Sequence, residues 1–338
     1  MSLNKRFGLK RNILLLLTLL AAACFLLGSC GKKPQKVYRV GIVSGAEAFV
    51  DIADGFKAEM TELGYVEGKN VVYDFHKLNA DQEGVKQAVS KLVDDKVDLI
   101  FAFPTDPALE AKAGTKGTEI PVVFALAGIE GNDLVESIMK PGGNITGVRF
   151  PGPEITAKRL EVLHELAPDV KRVYLIYDPN YPNKSVALDS LYKTAPQLAM
   201  TLVEDTVGNA REVRDTLQKR TRMDDIGVDA IFIMPEILTQ SPECFEMIIR
   251  FADEHNIPVA GGMPYTVKNG ALFNMAPDNV QMGISAAFLA DRIFKGTPAG
   301  ELMVVTPSPS MWLNYNVAQK MGLKVPEGLL SSADTIIR

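Results

Sequence analysis

From Val37 onward, short apolar runs alternate with loops rich in Gly, Pro, Asp or Ser and with amphipathic segments. The apolar runs predict strands at 38–43, 71–75, 97–103, 121–126 and 145–148, and again at 172–177, 201–204, 230–234, 258–260 and 271–274. Most of these runs are apolar throughout and do not alternate with polar residues, a pattern typical of parallel strands buried on both faces.

Between the runs, apolar residues recur at helical spacing, as in the stripe formed by Ile52, Phe56, Met60 and Leu63. This spacing predicts helices over 51–63, 84–95, 154–166, 185–199, 209–221, 242–255 and 279–295. Steady alternation of strand and helix predicts an α/β fold with parallel sheets and right-handed crossovers.

The series of elements occurs twice, on either side of a break rich in Gly and Pro at 141–144 and 151–153. We therefore predict two Rossmann-like lobes joined by a multi-strand hinge, with crossings at 147–153 and 306–310. Lobe one takes residues 37–147 plus about 278–305, because the last 61 residues are too few for a domain of their own. Lobe two takes 148–277 plus about 306–338.

The first thirty residues have a basic start, an apolar stretch over 13–27 and the ending Leu27-Gly28-Ser29-Cys30, as in a secretory signal segment. This ending resembles a bacterial lipobox. The resemblance implies removal of residues 1–29, diacylglycerol on Cys30, a tether over 30–36 and a lipid-anchored, extracytoplasmic protein. An uncleaved transmembrane helix is the alternative, and Cys24 is a second candidate for cleavage, although apolar residues would then follow it.

Cleavage would remove four basic and no acidic residues, which changes the formal net charge from −5 to −9. An acidic domain is a poor binder of nucleic acid. Cys244 would be the one unmodified cysteine left, so no intrachain disulfide is expected. The three histidines are far apart and lack partners at metal-ligand spacing. We predict no metal, no cofactor and a monomer.

Ligands of open parallel sheets bind beyond the carboxyl ends of the strands, so two facing lobes predict a cleft walled by the loops that follow the strands. Aromatic rings and polar edges in these loops suit a small amphipathic solute. The candidate ligand-binding residues are Ser44, Glu47, Phe49, Thr105, Asp106, Leu126, Ala127, Arg149, Phe150, Tyr181, Asn183, Glu236, Tyr265 and Asp278.

Four of these candidates have a second interpretation. Arg149 either clamps a ligand carboxylate or ties the lobes together. Glu47 either pairs with a ligand ammonium or is a solvated acid near a helix start, and Asp278 either binds an ammonium or caps a helix. Asp106 is predicted to cap a helix with Pro107 at its first position, where free N–H groups also suit a carboxylate.

Several stretches of the chain match one family in order. They are Gly55-Phe56, Glu62-Leu63-Gly64-Tyr65, Glu67-Gly68-Lys69-Asn70-Val71, Lys96-Val97-Asp98-Leu99-Ile100, Ile120-Pro121-Val122-Val123-Phe124, Lys140-Pro141-Gly142-Gly143-Asn144-Ile145-Thr146-Gly147-Val148, Val267-Lys268-Asn269-Gly270-Ala271-Leu272, Leu313-Asn314-Tyr315-Asn316-Val317-Ala318 and Gly322-Leu323-Lys324-Val325-Pro326. Together they resemble the ABC-transporter substrate-binding lipoproteins of the tryptophan- and tyrosine-binding type.

The resemblance implies a type I periplasmic-binding-protein fold that closes on a small solute, such as an amino acid or related carboxylate. The solute would pass to a permease driven by an ATPase. Relatives often carry a Thr-Asp-Pro-like turn where this chain has Leu126-Ala127-Gly128-Ile129, which predicts a more apolar wall. A sensor subunit of a membrane receptor is an alternative with the same fold. A secreted enzyme is disfavoured because the nucleophile-elbow, zinc-protease and phosphate-loop motifs are missing from the sequence.

Overall fold

A computed structural model describes residues 36–78, 81–181 and 184–338, apart from the side chain of Ala48. The chain divides into an N-terminal unit, residues 1–38, and a larger unit, residues 39–338, which carries the features reported below. The predictions for the signal segment, Cys30, most of the tether and Asn183 lie outside the described residues. In the part of the chain that is described, no helix is both long and apolar enough to cross a bilayer.

The first sheet has the strand order β2-β1-β3-β4-β5. Its strands are β1 Tyr38–Ser44, β2 Val71–Lys77, β3 Leu99–Phe103, β4 Val122–Ala127 and β5 Ile145–Arg149. Strand β3 pairs in parallel with β1 and β4, and β4 pairs in parallel with β5. Every residue of β3 is buried, as expected for the apolar run at the centre of a parallel sheet.

The second sheet has the order β12-β11-β10-β9-β8-β6-β7. Its strands are β6 Arg172–Tyr177, β7 Thr201–Thr206, β8 Ala230–Phe232, β9 Val259–Gly261, β10 Phe273–Pro277, β11 Pro309–Asn314 and β12 Thr335–Ile337. The pairs are parallel except that β11 runs antiparallel to β10.

Helices cover both faces of each sheet, as the apolar stripes require. In chain order they are α1 Val50–Glu62, α2 Gln82–Asp94, α3 Thr105–Gly114, α4 Gly152–Leu166, α5 Lys184–Thr194, α6 Ala210–Thr221, α7 Ile237–Gln240, α8 Pro242–His255, α9 Pro264–Lys268, α10 Asn279–Phe294, α11 Tyr315–Lys320 and α12 Glu327–Ser332. On the first sheet, α2 and α3 share one core, and α10 packs along α1 and against β4 and β5. On the second sheet, α4 and α5 lie in one core and α6 and α8 in the other.

The predicted α/β class with two parallel-dominated lobes is confirmed, with corrections to individual elements. The segment 306–310 was predicted only as a crossover, but the chain continues from it into β11, and both β11 and β12 were missed. The strand predicted over 271–274 lies at Phe273–Pro277. The helix predicted over 185–199 ends at Thr194 and continues as a 3-10 turn, after which Ala199 adopts the left-handed conformation with φ 54°.

Two of the segments that cross between the sheets run side by side. The Arg149 N–H donates to the Val305 carbonyl at 2.9 Å, and the Val305 N–H donates to the Gly147 carbonyl at 2.8 Å. The chain crosses a third time where β10 ends at Pro277 and α10 begins at Asn279. Three crossing segments between two α/β lobes match the multi-strand hinge that the sequence predicts.

Candidate functional site

The carboxyl ends of strands from both sheets face one cavity of about 540 Å³. Its wall in the first lobe is built by the segments after β1, β3 and β4, and in the second lobe by those after β6, β8 and β9 together with β10 and β11. This is the position at which open α/β sheets bind ligands, and the volume suits a small solute.

Most of the candidates come together here. Those that line the cavity are Phe49, Thr105, Asp106, Leu126, Phe150, Tyr181, Glu236, Tyr265 and Asp278. Ser44, Glu47, Ala127 and Arg149 are not among the described residues that line it. The Ser44 hydroxyl instead donates to the Ala46 carbonyl at 2.9 Å, and Ala127 is fully buried in β4.

Arg149 lies beside the cavity, with its guanidinium directed into the hinge. It pairs with Glu130, which follows β4, and with Glu154 in the first turn of α4. Its Nε donates to the Thr306 hydroxyl at 3.1 Å. These partners occupy the guanidinium, so the contacts support a tie between the lobes rather than a clamp on a ligand carboxylate.

Asp106 lines the cavity but does not cap its helix as predicted. Helix α3 begins one residue earlier, at Thr105, with Pro104 in the cap position and no side-chain capping bond. The Thr105 hydroxyl accepts a hydrogen bond from the Gly128 N–H at 3.1 Å, which joins α3 to the segment after β4. The first turn of α3 therefore reaches the cavity without a side-chain cap.

Glu236 is a buried carboxylate whose bonds lie within its own wall segment. It caps α7 and accepts from the Thr239 N–H at 2.9 Å, from the Leu238 N–H and from the Thr239 hydroxyl. Burial raises its pKa, while these bonds act in the opposite direction. The side chain thus shapes the second-lobe wall and presents part of its surface to the cavity.

A pair of acids stands where α1 and α10 begin. Asn279 donates from Nδ2 to the Asp51 carboxylate at 3.1 Å, and Asp278 caps α10 by accepting from the Gln281 N–H at 2.8 Å. Burial raises the pKa of Asp51, and the neighbouring charge of Asp278 raises it further, against the effect of the Asn279 bond. Asp51 was not among the candidate residues, although it ends a loop predicted to face the cleft.

Glycines bring these two helices into backbone contact. A Cβ on Gly283 of α10 would lie 2.0 Å from the Ile52 carbonyl oxygen, and one on Gly55 of α1 would lie 2.3 Å from the Val280 carbonyl oxygen. This approach places Asn279 within hydrogen-bond distance of Asp51.

Five aromatic side chains of the described residues contribute to the apolar surface of the cavity. They are Phe49, Phe150, Tyr181, Tyr265 and Trp312. The Lys268 ammonium lies 5.2 Å from the centroid of the Trp312 ring, within the range of a cation–π contact. Lys268 and Trp312 were missed by sequence reasoning, because α9 was not predicted as an element and the pairing of β11 with β10 has no local signature.

Charged side chains therefore face the same space from both lobes. Asp51, Asp106 and Asp278 come from the first lobe, and Glu236 and Lys268 come from the second. No group of three His, Cys, Asp or Glu side chains within the described residues could hold a metal ion. The arrangement offers charge pairing and aromatic contact to a bound solute.

The sequence model of the ABC transporter substrate binding protein family matches residues 37–337. The chain belongs to this family. It is also similar to the tyrosine-binding protein of Clostridioides difficile, with 28% identity over 252 residues that cover 75% of this chain and 70% of the relative.

Solved structures share the fold. A conserved domain protein from Vibrio cholerae has 25% identity and a TM-score of 0.76, with 89% of this chain and 100% of that chain covered. A domain from Streptococcus pneumoniae in complex with L-Trp has 22% identity, a TM-score of 0.76 and the same coverage. A ligand-free, open substrate-binding protein from Clostridium difficile has 24% identity and a TM-score of 0.71, with 89% and 99% covered. These likenesses agree with the predicted type I periplasmic-binding-protein fold.

Proposed function

We propose that the protein is the extracytoplasmic solute-binding lipoprotein of an ABC importer, and that it closes on an amino acid or a related carboxylate and delivers it to the permease. The observation that carries this proposal is the cavity of about 540 Å³ to which both lobes contribute aromatic and charged side chains. A ligand that contacts both lobes stabilises the closed state over the open one. The domain boundaries predicted above define the two moving bodies.

Charge placement supports a zwitterionic solute. Lys268 in the second lobe is placed to bind a carboxylate, together with the uncapped first turn of α3 in the first. Asp51 is placed to bind an ammonium. Five aromatic rings favour an apolar or aromatic side chain, and the curated relative is named for tyrosine, so L-tyrosine and L-tryptophan are the first solutes to test.

Isothermal titration calorimetry tests the solute class. We expect L-tyrosine to bind, and tyramine, which lacks the carboxylate, to bind more weakly. Lys268→Ala should weaken L-tyrosine binding by about tenfold and leave tyramine nearly unchanged, because it removes one charge-assisted contact. Lys320→Ala is the matched control, since Lys320 pairs with Asp253 and does not line the cavity. Binding of a neutral sugar or a nucleoside, with no binding of amino acids, would contradict the amino-acid proposal.

The lipid anchor has its own test. Metabolic labelling with a palmitate analogue should mark the parent and Cys24→Ser, and should not mark Cys30→Ser. Labelling that survives in Cys30→Ser would place the anchor elsewhere.

A further inference from the structure

Arg159 of α4 is the largest fully buried side chain among the described residues, with 2% of its surface exposed. Its Nη2 donates to three backbone carbonyls, those of Ile233 at 2.8 Å, Ala260 at 3.2 Å and Gly261 at 2.6 Å. One side chain thus binds the carboxyl ends of both β8 and β9.

The charge of this guanidinium is not neutralised by a carboxylate among the described residues. Its plane lies over the Phe232 ring, 4.2 Å from the centroid, and Nε has no hydrogen-bond partner in the described part of the chain. Burial lowers the pKa of Arg159 to about 9, so it stays protonated at neutral pH. A buried cation without a carboxylate partner is costly, and its hydrogen bonds to three backbone carbonyls are the contacts that offset this cost.

The bound carbonyls stand directly before two wall segments of the cavity. Ile233 precedes Pro235 and Glu236, and Gly261 precedes the segment 262–265. A single donor on both strand ends fixes the distance between these segments.

The two wall segments also touch. A Cβ on Gly262 would lie 2.1 Å from Gln240 Oε1, while Gln240 Nε2 donates to the Glu236 carbonyl at 2.9 Å. A small shift of either strand end would therefore change the shape of the second-lobe wall, since close-packed contacts transmit displacement.

We propose that Arg159 is a positioning residue of the solute site, which holds the wall segments 235–240 and 262–265 in binding geometry through the ends of β8 and β9. The proposal rests on the proposed function only for the identity of the site. Arg159 is not among the described residues that line the cavity, and it acts through the backbone that it binds.

Hydrogen exchange of the ligand-free, full chain, read by mass spectrometry, tests the proposal without a ligand. Arg159→Met should raise exchange rates about tenfold in peptides that cover 233–241 and 259–266, because local opening there becomes easier. Arg159→Lys, which keeps the charge and can donate to carbonyls, should restore part of the protection. If Arg159→Met fails to fold, Arg159→Lys is compared with the parent instead. We then expect a smaller rise in exchange rate in the same two peptides.

Arg220→Met is the matched control. Arg220 is in the same lobe and stacks 4.2 Å from the Tyr174 ring centroid, but its charge pairs with Asp205 at 2.7 Å and it does not line the cavity. Its loss should leave the two wall peptides unchanged. Exchange that stays at parent level in both Arg159 variants, or that rises evenly over the second lobe, would overturn the proposal.

Calorimetric titration with L-tyrosine then gives the binding readout. At a temperature where both ligand-free variants are folded, Arg159→Met should bind L-tyrosine about tenfold or more weakly than Arg220→Met. Equal affinities in the two variants would reduce Arg159 to a structural residue. A parent that binds neither an amino acid nor a related carboxylate would refute the proposed function, while the exchange result would still decide the role of Arg159.

Discussion

The close backbone contact between α1 and α10 leads us to predict that Gly283→Ala destabilises the protein. The new Cβ would lie 2.0 Å from the Ile52 carbonyl oxygen and 2.7 Å from the Phe56 nitrogen. Both are backbone atoms of α1, so no side-chain rotation relieves the clash and the helices must separate.

The magnitude follows from two opposing effects. Overpacking costs about 1–3 kcal/mol, and the upper end applies because the atoms in contact belong to the backbone. Alanine in place of glycine within a helix raises the unfolding free energy by about 1 kcal/mol, because alanine has the higher helix propensity. The net loss of unfolding free energy is about 2 kcal/mol, or a drop in melting temperature of about 3 °C for a chain of this size.

Differential scanning calorimetry measures this loss, and Gly328→Ala in α12 is the control. A Cβ on Gly328 meets nothing within 4 Å, so that variant should keep or slightly raise the melting temperature. Gly283→Ala should also weaken solute binding, because separation of the helices moves Asn279 away from Asp51. A melting temperature for Gly283→Ala at or above that of Gly328→Ala would refute the argument from backbone contact.

Three further predictions concern the hinge and the cavity. Arg149→Gln should lower the unfolding free energy by about 2 kcal/mol in denaturant titrations, because it leaves Glu130 and Glu154 without their partner. Glu154→Gln should cost under about 1 kcal/mol, because that side chain is 59% exposed. Equal losses in the two variants would contradict a central role of Arg149 between the two carboxylates. Trp312→Phe should abolish any solute-dependent change in tryptophan emission, since Trp312 is the single tryptophan, while calorimetry still detects binding; loss of both signals would instead give the indole a direct energetic role. Asp51→Asn should raise the melting temperature at pH 7, because the pKa of Asp51 is raised in the folded state and its ionisation therefore destabilises the fold as pH rises. This gain should vanish below pH 3.8, the ordinary pKa of the carboxyl group, where Asp51 is protonated in both states. A gain that is the same at every pH would contradict the argument.

The sequence was most informative where structure is local. The apolar run that became β3 and the stripe of Ile52, Phe56 and Met60 predicted their elements within two residues, because burial on one face or both leaves a period in the sequence. The loops after these strands then pointed to the cavity, since parallel strands end at the same edge of a sheet.

The misses have both non-local and local causes. Trp312 reaches the cavity because β11 pairs antiparallel with β10, and the residues around Trp312 carry no sequence signal for that pairing or its register. The two interpretations of Arg149 could not be separated in the sequence, because its partners, Glu130 and Glu154, are brought to it by the fold. The Asp106-Pro107 pair suggested a helix start, but the helix begins at Thr105, with Pro104 in the cap position.

The proposed roles of Arg149 and Arg159 imply that residues outside the cavity lining also influence solute binding. Neither lines the cavity, yet Arg149 joins the two lobes at the hinge and Arg159 binds the strand ends behind the second-lobe wall. They stand at the two ends of a short rigid path, because α4 begins three residues after Arg149 and carries Arg159 in its third turn. We therefore expect a displacement at the hinge to reach the second-lobe wall through this helix. A substitution anywhere along this path should change solute affinity without removing a solute contact, and the effects of Arg149→Gln and Arg159→Met on binding should combine non-additively.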